Sequence, residues 1–277
     1  MTDAAAITRV PLYTHTDRIA RGLAARGIGP ADPITPEDLY PLDQWHYHGA
    51  AAVRDAAARL GLGPASRVLE IGAGVGGPAR CLAHTTGCDV TALELQPELN
   101  AIGTDLTRRC GLSGQVTHLC GDALHVSLPD AAFDAVVSWL AILHIPDRPR
   151  LCARIARALR PGGICFIEDL SMRAPFSAAD LHDLRQDVFG VSVTSIDDYV
   201  ADLHAAGLTD IVAEDLTEDW APFAIARWHT WRTDRAAHMQ AQGEGAYAAQ
   251  ERFYAVIAQL YAGGSLGGVR LIAPAPS

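Results

Sequence analysis

The sequence predicts an α/β fold that is organised around a doubly wound, mostly parallel sheet. Short apolar segments alternate with helical patterns between residues 67 and 169, and this alternation calls for a parallel sheet with right-handed crossovers. A glycine-rich turn joins the first strand of the series to its first helix, at the place where open α/β sheets bind nucleotide-like cofactors. The chain has 277 residues, which is ample for one such core with additional helices.

The residues before the sheet, 1–49, are predicted to form an N-terminal helical cap. Thr14–Arg26 has a helical pattern that Thr16 or Asp17 can cap. Residues 36–49 then concentrate polar, aromatic and imidazole side chains. Because polar groups are costly to bury without hydrogen-bond partners, this composition favours the lining of a site over plain core.

The core, residues 50–170, is predicted to alternate strands and helices. The strands are expected at Arg67–Ile71, Val90–Glu94, Gln115–Cys120, Asp134–Ser138 and Ile164–Asp169. The helices are expected at Gly49–Leu60, Ala79–His84, Glu98–Cys110 and Arg148–Leu159. A turn at Arg160-Pro-Gly-Gly163 closes the last helix, since proline and glycine end helical patterns.

Residues 171–277 are predicted to supply lid helices and the last strands of the sheet. The lid helices are expected at Ala178–Phe189, Ser195–Ala206, Ala221–Gln242 and Gly245–Tyr261. The strands are expected at Thr209–Asp215 and Gly268–Ala273. One sheet domain with a cap and a lid fits this pattern better than two independent domains.

The glycine turn and two later acids are candidates for binding a cofactor. The turn reads Glu70-x-Gly72-x-Gly74-x-Gly76, and its glycines permit positive φ and let a ligand approach the backbone. Glu94 ends the second strand, where a carboxylate can accept both hydroxyls of a ribose. Asp122 follows the third strand and offers an acceptor to an adenine amino group.

This set of motifs resembles the class I S-adenosylmethionine-dependent methyltransferases, and the resemblance covers roughly Leu39 to Leu170. It implies a Rossmann-like methyltransferase sheet whose last strand pairs antiparallel at the edge, with S-adenosylmethionine as cofactor and S-adenosylhomocysteine as product. A carboxylate at Glu70 suits a cofactor that carries an ammonium and no phosphate, and it argues against a nicotinamide dinucleotide. The implied cofactor contacts are Glu70, Gly72, Gly74, Gly76, Glu94, Leu95, Asp122, Ala123 and Ser138.

The cap segment narrows the resemblance to one branch of that family. Leu42-Asp-Gln-Trp-His46-x-x-Gly49 and Gly76-Gly-Pro-Ala-Arg80 look like the branch that contains the sarcosine/dimethylglycine and phosphoethanolamine N-methyltransferases. The likeness implies that Gln44 helps to hold the amino-acid end of the cofactor. It also implies that the next four residues face the substrate. No stretch of the lid matches a characterised substrate site, so N-methylation is one alternative within the branch.

His46 and His144 are the predicted catalytic residues. Methyl transfer from a sulfonium is an in-line displacement, which requires an aligned and deprotonated nucleophile, and a neutral imidazole is the base expected near neutral pH. His144 follows the fourth strand, where members of the family place residues that touch the methyl group and the substrate. A hydrogen-bonded structural histidine is an equally good interpretation of either residue, and it is the better one for His48.

Trp45, Tyr47, Glu168 and Trp220 are the predicted substrate-binding residues. Glu168 ends the fifth strand beside Asp169, where it could hold a substrate ammonium or hydroxyl or equally cap a loop. Trp220 begins a set of lid aromatics with Phe223, Trp228 and Trp231. Their spacing favours core or interface over an aromatic cage for a quaternary ammonium.

Composition limits the classes of partner. Lys plus Arg is 22 and Asp plus Glu is 32, which gives a net charge of -10 without any basic run, and this speaks against nucleic acid. The six cysteines form no C-x-x-C pair, as expected of reduced thiols in a cytoplasmic protein. No signal peptide, membrane span or metal-ligand spacing is recognisable. We therefore expect a cytoplasmic monomer or homodimer that acts on a small molecule without a metal.

The predicted function is methyl transfer from S-adenosylmethionine to nitrogen or oxygen of a small molecule, or to carbon in a natural-product pathway, with His-assisted deprotonation. The alternative is an enzyme of the same fold that binds the cofactor and catalyses a non-methylating reaction such as cyclisation or elimination. A cofactor-binding subunit without activity is a third class, and the intact motifs argue against it. The sequence carries no readable code for the acceptor.

Overall fold

The computed structural model describes residues 17–277 and arranges seven strands in one sheet. The strands are β1 Arg67–Ile71, β2 Asp89–Glu94, β3 Val116–Cys120, β4 Phe133–Trp139, β5 Leu159–Met172, β6 Val212–Asp215 and β7 Leu266–Pro274. Their order is β3-β2-β1-β4-β5-β7-β6, and only β7 runs antiparallel to its neighbours β5 and β6. The predicted fold class is confirmed, with the refinement that β6 and not β7 is the outer strand.

Eleven α-helices accompany the sheet within the described residues. The cap contributes α1 Arg18–Ala24 and α2 Pro36–Asp43, and α3 Gly49–Arg59 leads into the sheet. The helices between the strands are α4 Gly77–Thr86, α5 Pro97–Arg109 and α6 Arg148–Ala158. After β5 come α7 Ala178–Asp183, α8 Ile196–Ala205, α9 Thr217–Thr233, α10 Arg235–Gln242 and α11 Glu244–Ala262. All were predicted as lid helices, but α8 packs against the sheet with α6, and the other four are called the lid here.

Both faces of the sheet are covered by apolar packing. Consecutive residues of a strand point to opposite faces, and the neighbours Val68 and Leu69 of β1 are both fully buried. Leu69 packs in a cluster with residues of α6 and α8, whereas Val68 packs with residues of α3 and α4. This two-sided burial is what a parallel sheet requires, and it leaves the carboxyl ends of β1 and β4 as the crevice where a ligand can bind.

Helix α2 was not predicted, although the sequence carries its start signal. The Thr35 side chain accepts a hydrogen bond from the Asp38 backbone N–H at 3.3 Å, and the Asp38 side chain accepts one from the Thr35 N–H at 2.9 Å. This reciprocal capping box begins the helix, with Pro36 in its first position. The predicted helix Thr14–Arg26 is observed as α1, and residues 14–16 of that prediction lie outside the described residues.

Two predicted lid helices differ from the structure. The prediction of one helix over Ala221–Gln242 is wrong, because α9 and α10 are separated at Asp234. The break brings the Trp231 ring onto the His238 ring, with 3.7 Å between centroids. The predicted helix Ala178–Phe189 begins as α7 and continues as a π-turn over Leu184–Val188.

No helix within residues 17–277 combines the length and the apolar character that crossing a bilayer would require.

Candidate active site

A cavity lies at the carboxyl ends of β1, β2 and β4, between the cap and the lid. One part of its wall, here called the glycine-turn half, consists of lining residues from segments 70–78, 93–99 and 121–125, with Asp43, whose carbonyl packs against Gly77. The other part, the lid half, consists of lining residues from segments 45–47, 139–146 and 224–227, with Leu170, Val188, Phe253, Tyr254 and Ile257. The two halves therefore bring the sequence motifs of the core together with the cap and the lid.

The glycine turn is bounded by contacts on both sides. Gly72 has φ +75° and lines the cavity, and a Cβ there would collide with the side chain of Ala141. Gly76 has φ +77°, and a Cβ there would lie 2.6 Å from Cε1 of His118. Gly76 does not line the cavity, so a glycine is required at this position because His118 packs behind the turn.

Glu70 presents a buried carboxylate to the cavity. Its side chain is 2% exposed, and Oε2 has no hydrogen-bond partner among the described residues. Burial raises the pKa of Glu70 to about 8, although the nearby Arg80 guanidinium opposes that rise. An unpartnered carboxylate oxygen in a cavity wall is suited to receive a cationic N–H donor.

Glu94 is the last residue of β2, and its side chain bonds to the glycine turn. Its Oε2 accepts the Gly74 backbone N–H at 2.8 Å, and its Oε1 accepts the Gln96 N–H at 2.9 Å. These bonds orient both oxygens at the wall of the cavity, and each oxygen retains a second lone pair for a hydroxyl donor. Burial raises the pKa of this carboxyl, and the two backbone N–H groups oppose the rise.

Asp122 lines the same half of the cavity, with the predicted neighbours Leu95 and Ala123. Its Oδ1 accepts the Leu124 N–H and its Oδ2 accepts from His125 Nδ1, both at 2.8 Å. His125, which sequence reasoning did not identify, also lines the wall. The carboxylate is therefore held in place by its own loop.

Two predicted cofactor contacts lie behind the wall. Gln44 donates from Nε2 to Asp43 Oδ1 at 3.0 Å, while its Oε1 is buried without a partner in the described part of the chain. Ser138 donates from Oγ to the Ile71 carbonyl at 3.0 Å and so joins β4 to β1. Neither residue lines the cavity.

Both predicted catalytic histidines line the lid half and are buried. His46 lies 3.0 Å from the Gly49 carbonyl through Nε2, and His144 lies 3.0 Å from the Phe189 carbonyl through Nδ1. A carbonyl only accepts, so each of these nitrogens carries the hydrogen and the other ring nitrogen of each neutral imidazole is the basic one. Burial lowers the pKa of His46 to about 4 and also lowers that of His144, which keeps both rings neutral at physiological pH.

The predicted substrate residues divide between the wall and the core. Trp45 and Tyr47 line the cavity, and Trp45 is oriented by a 2.9 Å hydrogen bond from Nε1 to the Leu42 carbonyl. Trp220 is 2% exposed and packs behind Tyr47, with ring centroids 4.5 Å apart. Glu168 accepts from Arg270 Nε at 2.8 Å across the β5–β7 pair, and neither Glu168 nor Trp220 reaches the wall.

Sequence reasoning missed two arginines of this region. Arg227 of α9 lines the lid half and donates from Nη2 to the His46 carbonyl at 3.2 Å. Arg80 is fully buried behind the glycine turn, where its Nη2 lies 2.8 Å from Asp43 Oδ2. Arg80 is part of the Gly76-Gly-Pro-Ala-Arg80 motif, but no neighbouring residue in the sequence indicated that it pairs with Asp43.

The glycine-turn half fits S-adenosylmethionine. The unpartnered Glu70 oxygen is complementary to the ammonium of its amino-acid end, and the Glu94 carboxylate is complementary to ribose hydroxyls. The open backbone at Gly72 and Gly74 leaves room for the ligand between these acids. Within residues 17–277 no cluster of His, Cys, Asp or Glu side chains is arranged to hold a metal ion.

Comparison with known sequences identifies relatives. A methyltransferase domain model matches residues 69–167. Methyltransferase GfsG from Streptomyces halstedii is 31% identical over 213 residues, which cover 76% of this chain and 76% of that protein. The 27-O-demethylrifamycin SV methyltransferase from Amycolatopsis mediterranei is 32% identical over 67% of this chain and 70% of its own length. Glycine/sarcosine/dimethylglycine N-methyltransferase from Actinopolyspora halophila is 33% identical over 60% of this chain, but that match covers only 29% of the relative.

Solved structures share the architecture. Phosphoethanolamine N-methyltransferase 2 from Haemonchus contortus, solved with phosphomonomethylethanolamine and S-adenosylhomocysteine, superposes with a TM-score of 0.78 at 22% identity. That match covers 96% of this chain and 58% of the other. The [4+2]-cyclase SpnF superposes with a TM-score of 0.71 at 23% identity, covering 96% and 95% of the two chains. At these identities the likeness shows the fold alone.

The sequence relatives and the shared fold agree with the motifs of the cavity. The glycine/sarcosine/dimethylglycine N-methyltransferase represents the predicted branch. The matches to GfsG and to the 27-O-demethylrifamycin SV methyltransferase cover most of the length of each of these two proteins. The chain therefore belongs to the S-adenosylmethionine-dependent methyltransferases, and it transfers a methyl group from that cofactor to a small-molecule acceptor.

Proposed function

We propose that this enzyme methylates a hydroxyl oxygen of a largely apolar natural product, with a neutral histidine accepting the proton. The observation that carries the proposal is the lid half of the cavity. Two buried imidazoles stand there among apolar and aromatic side chains, whereas the carboxylate residues of the described cavity wall, Asp43, Glu70, Glu94 and Asp122, all lie in the glycine-turn half. An ammonium acceptor would find no counter-charge there, whereas a hydroxyl needs only a base. A relative named for a 27-O-demethylated acceptor supports oxygen as the nucleophile.

In this proposal the glycine-turn half holds S-adenosylmethionine, which when bound supplies an electrophilic methyl group. Glu70 accepts from the ammonium, Glu94 from the ribose and Asp122 from the adenine amino group. The backbone of Gly72 and Gly74 and the side chains of Leu95 and Ala123 pack against the ligand. Gln44, Gly76 and Ser138 support these contacts from behind the wall, through Asp43, α4 and β1 respectively.

The predicted contact between Glu70 and the ligand ammonium can be tested by measuring the protons released on binding. Since its pKa is raised to about 8, the carboxyl of the ligand-free protein is mostly protonated at pH 7, and an incoming ammonium favours the ionised form. Binding of S-adenosylhomocysteine should then release up to about one proton from Glu70, and affinity should rise between about pH 6 and pH 8. Calorimetry in buffers of different ionisation enthalpy measures this release.

Glu70→Gln should lose the proton release, and the same change at the exposed Glu98 serves as the matched control. Protons exchanged by the ligand itself are common to all three proteins, so their difference isolates Glu70. Equal proton release in the wild type and in Glu70→Gln would show that Glu70 does not meet the ammonium.

We assign the base to His144 and a positioning role to His46. The guanidinium of Arg227 and the ring of His48 both oppose a positive charge on His46, so His46 is a poor proton acceptor. Each ring bonds a backbone carbonyl, which favours the imidazolium and fixes the tautomer, so the repulsion from Arg227 and His48 is what sets His46 apart. His144 therefore accepts the hydroxyl proton through Nε2, while His46 orients the acceptor beside Trp139, with 5.7 Å between the ring centroids.

The experiment that tests the proposed function pairs acceptors by nucleophile. The purified enzyme is given S-adenosylmethionine and a panel of apolar hydroxyl compounds, each matched with its amino analogue. We expect methyl ethers with equimolar S-adenosylhomocysteine. Methylated amines as the preferred products would overturn the choice of oxygen, and converted acceptor without S-adenosylhomocysteine would support the non-methylating alternative.

A further inference from the structure

Arg227 is distinguished from the other arginines of the described residues by its position in the cavity wall. It is half-buried and is the one Arg or Lys side chain that lines the cavity within residues 17–277. Three other arginines with little exposure pair with carboxylates: Arg80 with Asp43 at 2.8 Å, Arg148 with Asp202 at 2.7 Å and Arg270 with Glu168 at 2.7 Å. Arg109 and Arg154 instead donate to backbone carbonyls, and neither lines the cavity. No such pair involves Arg227 within residues 17–277, so no carboxylate of these residues balances its charge.

The guanidinium is held in a fixed place by its surroundings. Its central carbon lies 4.6 Å from the ring centroid of Phe223, 5.3 Å from that of Tyr47 and 5.8 Å from that of Tyr254. One N–H group donates to the His46 carbonyl at 3.2 Å. A guanidinium has five N–H donors in a planar fork, and this single bond leaves most of the fork available to a ligand.

The same packing disfavours a cationic acceptor. The aromatic faces of Tyr47, Phe223 and Tyr254, which could form a cage for an ammonium, are already occupied by Arg227. A second positive charge would be repelled by the guanidinium in a poorly solvated cavity. A planar oxyanion would instead receive two parallel N–H bonds from the fork.

We propose that Arg227 determines acceptor specificity by binding a negatively charged oxygen of the substrate, as in a phenolate, enolate or carboxylate. This inference rests on the proposed function, because it names the class of hydroxyl compound that the cavity accepts. The anion lies against α9, beside the cap segment that carries His46. Arg227 thereby selects acidic acceptors over neutral and cationic ones of the same shape.

A pair of fluorescent probes tests this selection without requiring turnover. The anion 8-anilinonaphthalene-1-sulfonate and the neutral N-phenyl-1-naphthylamine share one aromatic skeleton and differ in the sulfonate. Binding of each is titrated with the protein saturated with S-adenosylhomocysteine. We expect Arg227→Met to raise the Kd of the sulfonate about tenfold, the low end for a lost charge-assisted hydrogen bond, and to change the Kd of the neutral probe less than about twofold.

Two further variants make the result specific. Arg227→Lys keeps the charge and should retain most of the affinity for the sulfonate, even if Arg227→Met is less stable. Arg232→Met is the matched control, since Arg232 lies on the same helix, is exposed, and covers a Trp228 ring at 5.2 Å outside the cavity. It should change neither probe.

Failure of the sulfonate to bind the wild type overturns the proposal, as does a loss in Arg227→Met that is equal for both probes or absent for the sulfonate. These outcomes are separable from failure of the proposed function. If methyl ethers form but the sulfonate result fails, only the role of Arg227 is lost. If the sulfonate result holds but no ether forms, the anion site stands and oxygen methylation does not.

Discussion

Replacing His144 with alanine is expected to lower kcat by about 10²–10⁴-fold, the range typical for loss of a general base. The imidazole is neutral and buried, and the Phe189 carbonyl fixes its tautomer, so the substitution removes a base that the fold holds in one orientation. The affinity for S-adenosylhomocysteine should change little, because His144 lies in the lid half of the cavity. Single-turnover assays and calorimetry measure the two quantities separately.

A second histidine provides the control for this variant. His204 of α8 also holds a backbone carbonyl, that of Leu208 at 3.1 Å through Nδ1, but it is not part of the cavity wall. His204→Ala should therefore leave kcat unchanged, and His46→Ala should lower it less than His144→Ala does. A normal rate in His144→Ala would remove His144 as the base and leave His46 as the alternative.

The pH dependence of the rate tests the assignment of His144 as the base independently. Burial lowers the pKa of His144 below the ordinary value of 6.5, so the basic form persists as the pH falls through 6.5. With S-adenosylmethionine kept saturating, so that the ionisation of Glu70 does not contribute, we expect kcat/KM for the acceptor to remain level there and to decline only at lower pH, whereas His144→Ala should lack that acid limb. A decline centred at pH 6.5 or above would contradict a buried base.

Much of the core was predictable because its signals are local. Strand β1 was predicted with the bounds that the structure gives, and β2 to β4 within one residue at each end. Apolar runs, helix starts and glycine turns depend on neighbours in sequence, and a parallel sheet follows from their alternation. For this reason Glu70, Glu94 and Asp122 reach one cavity wall as the motif spacing indicated.

The parts that were not predicted depend on partners far apart in the chain. Glu168 was expected in the crevice, but the register of β5 against β7 places it opposite Arg270. Trp220 was expected at the substrate, but it covers Gly268, where any larger side chain would collide with the ring. The contact of Arg227 with His46 spans 181 residues. No local pattern encodes such pairings, so the lid half could be predicted only in outline.

The pair of Asp43 and Arg80 gives the largest expected effect on stability. Both side chains are 1% exposed, and the bond of 2.8 Å joins the end of α2 to α4 behind the glycine turn. Arg80→Met leaves the Asp43 carboxylate buried without its cation, which should lower the free energy of unfolding by about 3–5 kcal/mol. Chemical denaturation measures this loss, and Arg157→Met in the exposed pair with Asp130 should cost less than about 1 kcal/mol.

The double variant Asp43→Asn/Arg80→Met distinguishes a buried charge pair from simple packing. Removing both charges avoids an uncompensated ion, so the double variant should be more stable than Arg80→Met alone. Its affinity for S-adenosylhomocysteine should still fall, because the Asp43 carbonyl packs directly against Gly77 and the pair fixes the cap on the glycine turn. If the loss of unfolding free energy in the double variant equals the sum of the losses in Asp43→Asn and Arg80→Met, the two charges act independently. Normal affinity for S-adenosylhomocysteine in the double variant would mean that the glycine turn holds its shape without the cap.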